Sequence, residues 1–504
     1  MLNQTNLTTG KQIVEKIRQG GFTFDEMQSN IDLQRFVTQI LYEQKISAFV
    51  PNEQGFATHK KGEVDLLPQE AADLIYRLFS DVSTIMISPE VLAKANDGHI
   101  PIPGMTPKVE RTVKENGVLS FDVQFPELDY IKKNVLDVNS PAYACMFDKV
   151  ILPYIQMVSQ SGEVPSSIPE NIRSAMEEVF AVAEAEHSIE DFDRNAMMNY
   201  TMHNILKLSN PNDMLKCAQE VRTTANFEGI PFSEVLSKHI QSQLAKDQHT
   251  TKRLEGFLNG ISGQVYMNSF DENDFTPEKL KERIQTAFEI YNAHDVGNPN
   301  LEMGDNRYRT CIVRIGNGPL GMFPNGDNIE QAMERFLMET AMTAASADRI
   351  SEDEYLKRVA SLHSRFILIH PFPESNGRIG RNMMNMLLSK VGRNFVLPKE
   401  NKSNYLDLLN GMHTNIFTDL GRAKNKGRKN PSRSDAKQLY DSGYWAYMEN
   451  LTERPDKFVP QEMRHASPLA EFIKASNTIS LDTTKENKKR KRWNLFKKRD
   501  DVDR

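Results

Sequence analysis

Two apolar patterns of helical period, separated by a stretch that cannot continue a helix, constrain this chain more than any other feature. From Ser351 to Ile369, the residues Leu356, Val359, Ala360, His363, Phe366 and Ile367 recur at helical spacing, and Ser351-Glu352-Asp353-Glu354 reads as a capping box at the start. Pro371 and Pro373 end that helix. Ile379, Met383, Met386 and Leu387 then resume the period up to Gly392, with Lys390 in the last turn, so a second helix begins at Asn376 and Gly377. Its first N–H groups and positive dipole end face the intervening loop and attract an anion. The loop and helix start supply a base (His370), a carboxylate (Glu374), an Asn-Gly turn and two arginines one turn apart, Arg378 and Arg381. A capped, salt-bridged turn accounts for any one of these residues. It has no need of the ordered set.

The order His370-Pro371-Phe372-Pro373-Glu374-Ser375-Asn376-Gly377-Arg378-Ile379-Gly380-Arg381 resembles the Fic family motif HxFx(D/E)GN(G/K)RxxR at every defined position but one. Ser375 stands where the family usually has glycine. The resemblance implies an enzyme that moves a phosphate-containing group, most often AMP from ATP, onto a Ser, Thr or Tyr hydroxyl of a target protein. It assigns His370 as general base, with an imidazole titrating near neutral pH. Glu374 would hold Mg²⁺, a hard cation that arrives on nucleotide phosphates. Ser375, Asn376 and Gly377 would surround the transferring phosphate, Asn376 and Gly377 as its anion hole, while Arg378 and Arg381 neutralise the remaining oxygens. Phe372 is expected to point into the core and fix the loop. Ser375 either adds a hydroxyl donor or sits in a backbone conformation that favours glycine. UMP, phosphate or phosphocholine transfer and removal of AMP are alternatives on the same scaffold, and a catalytically silent binding protein is the alternative of a different class.

Upstream, Tyr308 to Ile315 reads as a strand ending in a Gly316-Asn317-Gly318 turn, with Met322 and Phe323 available for a return strand. Fic proteins place a hairpin flap here that clamps the target by strand addition, which assigns Ile312, Val313, Arg314 and Ile315 to target binding. A helix is expected from Asn328 to about Ala344, another from Thr276 to about Tyr291, and Tyr405, Leu408, Leu409, Met412, Ile416 and Leu420 continue the helical pattern downstream. The family's inhibitory pattern (S/T)xxxE(G/N) fits Thr224–Gly229, giving Glu228, and Thr251–Gly256, giving Glu255. Glu228 ranks first, because Glu255 leaves room for little more than one helix before the core. Each window also reads as an ordinary solvated helix end.

The implied fold is mainly α, a Fic-type helical core with a β-hairpin flap. The expected division is a mostly helical recognition region with a small hairpin at 1–200, a helical region at 201–274, the Fic core at 275–420 and a C-terminal extension at 421–504. Within the first region, Phe24 to Gln44 and Ala71 to Phe79 read as helical. Val109 to Val113 and Val118 to Phe125 flank a Glu-Asn-Gly turn, with Leu119, Phe121, Val123 and Phe125 alternating as in a half-buried strand. Arg422 to Lys437 reads as a basic linker before an aromatic helix at Leu439 to Leu451. The tail, Lys488 to Arg492 with Trp493, Phe496 and Lys497 to Arg499, mixes basic residues with apolar anchors. That mix suits an anionic membrane or an import or secretion machinery, and ranks lipid above nucleic acid. The net charge of −6 gives nucleic acid no global attraction. Met1 to Gly20 lacks the apolar run of a Sec signal, and Cys145, Cys217 and Cys311 have no metal or disulfide spacing. The expected location is therefore a cytoplasm, with delivery into a host cell by a non-Sec route open to a bacterial effector.

Overall fold

The structure is a computed structural model of the 504-residue chain. It describes residues 107–475 apart from 115–117, 189–192, 207–210, 247–248, 311–327, 394, 396–401, 425–432 and 453–459, together with scattered positions before 107. The chain packs as two units, Val82–Arg111 with Phe121–Glu255, and Met1–Asp81 with Thr112–Ser120 and Gly256–Arg504. No described helix is long and apolar enough to cross a membrane.

The strand content is small. An antiparallel meander of β1 (Phe49–Asn52), β2 (Gly55–Lys60) and β3 (Glu63–Leu66) lies in a stretch whose polar Thr58, His59 and Lys60 hide it from periodicity analysis. The expected hairpin forms as β5 (Lys108–Val113) and β6 (Leu119–Gln124), and β4 (Thr84–Met86) adds antiparallel to β5 with Ile85 opposite Val109. Leu119, Val123 and Phe125 are buried while Asp122 and Gln124 are exposed, so the alternation follows the pleat.

Short helical turns from Pro126 lead to α1 (Leu152–Ser161) and α2 (Glu170–Glu186). Ile172, Ala175, Met176, Val179, Phe180 and Ala183 form the buried stripe of α2 at three- and four-residue spacing. Then come α3 (Arg194–Leu206), α4 (Pro211–Glu228), α5 (Phe232–Lys246) and α6 (His249–Asn268). The motif-bearing body follows: α7 (Pro277–Tyr291), α8 (Ile329–Ala345), α9 (Glu352–Ile369), α10 (Asn376–Ser389), α11 (Lys402–Lys424), α12 (Arg433–Thr452), α13 (Pro460–His465) and α14 (Ser467–Ala475). Local chemistry sets the starts, since the Thr276 hydroxyl accepts from the Lys279 N–H and the Ser351 hydroxyl from the Glu354 N–H.

Within Gly256–Arg504, a hydrophobic core of described residues runs from Met267 through Phe288, Phe336, Phe366, Met383 and Ile416 to Tyr447, Leu469 and Ile473. Each fully buried Leu, Ile or Phe in it contributes about 1.5–3 kcal/mol. The core does not stop at residue 420, and the packing draws α12, α13 and α14 into the same body. Gly443 of α12 shows why: a Cβ there would fall 1.6 Å from the Phe417 carbonyl oxygen of α11, so only glycine lets the two backbones approach so closely. The expected linker at 422–437 is corrected accordingly. α11 continues to Lys424 and α12 begins at Arg433, because lysine and arginine in a last turn favour the helix dipole rather than breaking the helix.

Candidate active site

His370 caps the C-terminus of α9 in the left-handed region, with φ 50 and ψ 61. That conformation costs a residue with a Cβ roughly 1–2 kcal/mol, so neighbouring contacts must hold it. Arg309, which is 1% exposed, supplies them. Its Nε donates to the His370 carbonyl at 2.5 Å, its Nη2 to the Ile369 carbonyl at 3.2 Å, and its main-chain N–H to the Pro371 carbonyl at 2.9 Å. These carbonyls lie where the helix end leaves acceptors without intrahelical donors, and the guanidinium faces the negative end of the dipole.

The His370 ring is oriented by its own helix. Nδ1–H donates to the Ile367 carbonyl at 3.3 Å, which puts the acceptor lone pair on Nε2. Burial first, and the Arg309 cation second, push its pKa down to about 4, against the opposing pull of the Ile367 carbonyl. The expectation of titration near neutrality is thus corrected. The imidazole is neutral throughout the neutral range, in the form that accepts a proton.

The loop after His370 closes on itself. Phe372 is fully buried, stacked on Phe288 at 4.9 Å between centroids and flanked by Tyr308, so it points into the core as expected. Asn376 Oδ1 accepts from the Phe372 N–H at 3.0 Å, and its Nδ2 donates to the Phe372 carbonyl at 2.6 Å. The Asn376 side chain is therefore committed to bracing the loop. What Asn376 and Gly377 offer an anion is the main-chain N–H of a helix's first turn. Glu374 projects from the loop and is exposed.

Ser375 is the residue before α10, with φ 64 and ψ 3. Its hydroxyl oxygen accepts from Arg378 Nη2 at 2.7 Å and from Asn292 Nδ2 at 3.3 Å. The Arg378 guanidinium lies over the Tyr291 ring, 4.6 Å from its centroid. That ring is fixed in turn: its hydroxyl accepts from Asn382 Nδ2 at 2.7 Å, and it lies against Gly263, where a Cβ would come within 2.7 Å of it. Arg381 lies along the same edge of the helix, with Nη1 3.4 Å from where a Gly377 Cβ would be. The structure thus joins Ser375 to Arg378 and Gly377 to Arg381, and backs His370 with Arg309.

The other expected positions fall elsewhere. Ile312, Val313, Arg314 and Ile315 lie outside the described residues, as does the basic tail at 487–504; the preceding Arg309 pairs with Met303 in an isolated antiparallel bridge. Glu228 is the last residue of α4 and exposed, followed by Gly229 at φ 68, a helix end closed by a left-handed glycine. Glu255 lies inside α6, half-buried, its carboxyl pushed above the usual range by burial and by Asp122.

A family model described as Fic/DOC family matches residues 274–388, a span that holds α7, α8, α9 and most of α10. Residues 274–388 are a Fic domain. Membership supports a Fic-type enzymatic modification of proteins, a transferase activity. Among solved structures, one similar chain is a Fic domain containing signaling protein from Bacteroides thetaiotaomicron, with 18% identity over 45% of this chain and 74% of that chain and a TM-score of 0.26. At that TM-score the likeness adds nothing to the family match. No curated protein matches the chain.

Within this Fic domain Ser375 takes the positive φ that a glycine would adopt without strain, and its hydroxyl gains the arginine and asparagine contacts in exchange. The sequence reading did not reach Arg309, Tyr291 or Asn292. Their only signal was an arginine beside an aromatic in an expected strand and polar residues at the end of an apolar helix, which many surfaces share.

Proposed function

We propose that the Fic domain transfers AMP from ATP to a Ser, Thr or Tyr hydroxyl of a target protein. The observation that carries this reading is the neutral His370, held with its lone pair on Nε2 beside a helix start that bears two arginines. His370 Nε2 takes the hydroxyl proton as the oxygen bonds to the α-phosphorus. The bond from that phosphorus to the bridging oxygen breaks, and pyrophosphate leaves with the electron pair. Catalysis rests on positioning and charge stabilisation. Arg378 and Arg381 neutralise phosphate oxygens, and the first-turn N–H groups at Asn376 and Gly377 receive the transferring group. Glu374, a single exposed carboxylate, suits Mg²⁺ that arrives on the nucleotide, where the ion would offset phosphate charge. The segment from Ile312 to Ile315 is assigned to strand addition with the target, and the basic tail to an anionic membrane or a transport machinery.

Incubation with labelled ATP, UTP or CDP-choline and a cell lysate, followed by mass spectrometry of labelled proteins, tests the reading. Label from ATP with a mass gain of AMP is the expected result. Label from another donor would replace AMP by that group, and no label from any would favour a binding role. Regulation by Glu228 belongs to the same proposal: Glu228→Gly raises labelling tenfold or more, and Glu255→Gly little. The reverse ranking moves the inhibitory segment to Thr251–Gly256, whose Gly256 lies close to the His294 imidazole.

A further inference from the structure

We infer that Arg309 is a positioning residue for the catalytic base, locking His370 into its left-handed conformation and tying that geometry to the segment from Met303 to Arg309. The inference rests on the assignment of His370 as base, and its evidence is geometric. Three hydrogen bonds from one residue reach three consecutive carbonyls, Ile369, His370 and Pro371, across the end of α9. Two come from a planar guanidinium whose fork matches neighbouring acceptors, and the third comes from the Arg309 main chain. A lysine in its place would keep the charge but not the fork.

The location gives the arrangement its consequence. Arg309 is buried, and the expected target-binding segment begins three positions later in the sequence, at Ile312. Gly304 N–H donates to the Tyr308 carbonyl at 2.8 Å, Arg309 bridges Met303, and Tyr308 packs against Phe372 of the loop. The turn from Met303 to Arg309 is therefore bonded to the loop that presents His370, so a shift of that turn is felt at the imidazole. The guanidinium also acts on the ring electrostatically. Among the described residues, Arg309 and the Ile367 carbonyl bear on His370, the former favouring the neutral imidazole and the latter the charged one, while Tyr444 is a further titratable group that faces Arg309.

Arg309→Lys and Arg309→Met separate the two contributions in the full-length chain. In Arg309→Lys, kcat for protein labelling falls tenfold or more with ATP KM within twofold of wild type, and the acid limb of the pH profile stays in place. In Arg309→Met, kcat falls similarly and the acid limb moves up by about one pH unit or more. Unchanged kcat in both variants overturns the inference, as does a matching loss in KM with no movement of the profile. ¹⁵N-histidine NMR of the wild-type chain gives a reading that needs no activity and no folded variant. A neutral His370 with its proton on Nδ1 at pH 5.5 is expected; a protonated ring there overturns the electrostatic part. If His370 titrates as stated but no donor labels protein, the function assignment fails and the Arg309 contact stands.

Discussion

The last turns of α9 present two buried polar clusters built on opposite principles. Around Arg365, every charge is answered: Nε and Nη2 donate to Glu462 at 3.0 and 2.5 Å, Nη1 to Glu339 at 2.6 Å, and Ser361 and Tyr447 add their hydroxyls to Glu462. Arg335 completes it through Glu339. Around His370 there are two positive-φ residues with side chains, a neutral imidazole in low-dielectric surroundings, and a helix start facing the loop. The first cluster holds more charge and is more deeply buried, and its lone pairs and protons are largely spent on each other. The second holds strain and an unprotonated ring nitrogen. Burial of charge therefore marks how the C-terminal helices are fastened, while backbone strain beside a neutral imidazole marks the loop to which the proposed chemistry is assigned.

His370→Ala gives the largest effect and tests the second cluster. Transfer falls by roughly two to four decades with the melting temperature little moved. A full-rate variant, measured with labelled ATP, removes His370 from the chemistry and leaves the strain without a function. Glu462→Ala tests the first cluster and should do the opposite. It leaves Arg365 buried without its main partner, at about 3–5 kcal/mol of stability by denaturant unfolding, while kcat per folded molecule is retained. Lost kcat at unchanged stability would exchange the roles assigned to the two clusters.

Acid stability sharpens the contrast through three histidines whose rings the fold desolvates. His363, His370 and His413 have pKa values pushed down by burial to about 3, 4 and 4 respectively. Below about pH 6.5 the unfolded chain takes up protons that the folded chain refuses, so stability falls as pH falls from there toward 4. It is fully present above the unfolded value. Urea unfolding at pH 7.5, 5.5 and 4.5 should show a progressive loss, and a flat profile would mean these rings protonate in place. Ser375→Gly has the smallest effect on stability. Relief of the left-handed strain, on the order of 1 kcal/mol, offsets the lost hydrogen bonds to Arg378 and Asn292, and a rise of a few fold in nucleotide KM remains. An unchanged KM would show that the Ser375 hydroxyl does not orient Arg378.

The sequence by itself determined the parts that local chemistry governs. Helical period, the Ser351 cap, Pro371, Pro373 and the Asn-Gly start placed α9, the loop and α10 within a residue or two, since each signal acts within one turn of chain. The ordered motif placed His370, Glu374, Arg378 and Arg381 on one loop and helix start for the same reason. Tertiary structure alone decided three things. Arg309 reaches His370 from sixty-one residues away, and nothing near it in the chain signals a helix end to be capped. The pKa of His370 near 4 comes from burial by the folded body. The C-terminal helices join the motif's own core because Gly443 and Glu462 meet backbone and charge supplied by α11 and α9. Contacts between distant segments depend on shape and desolvation, which no local spacing encodes.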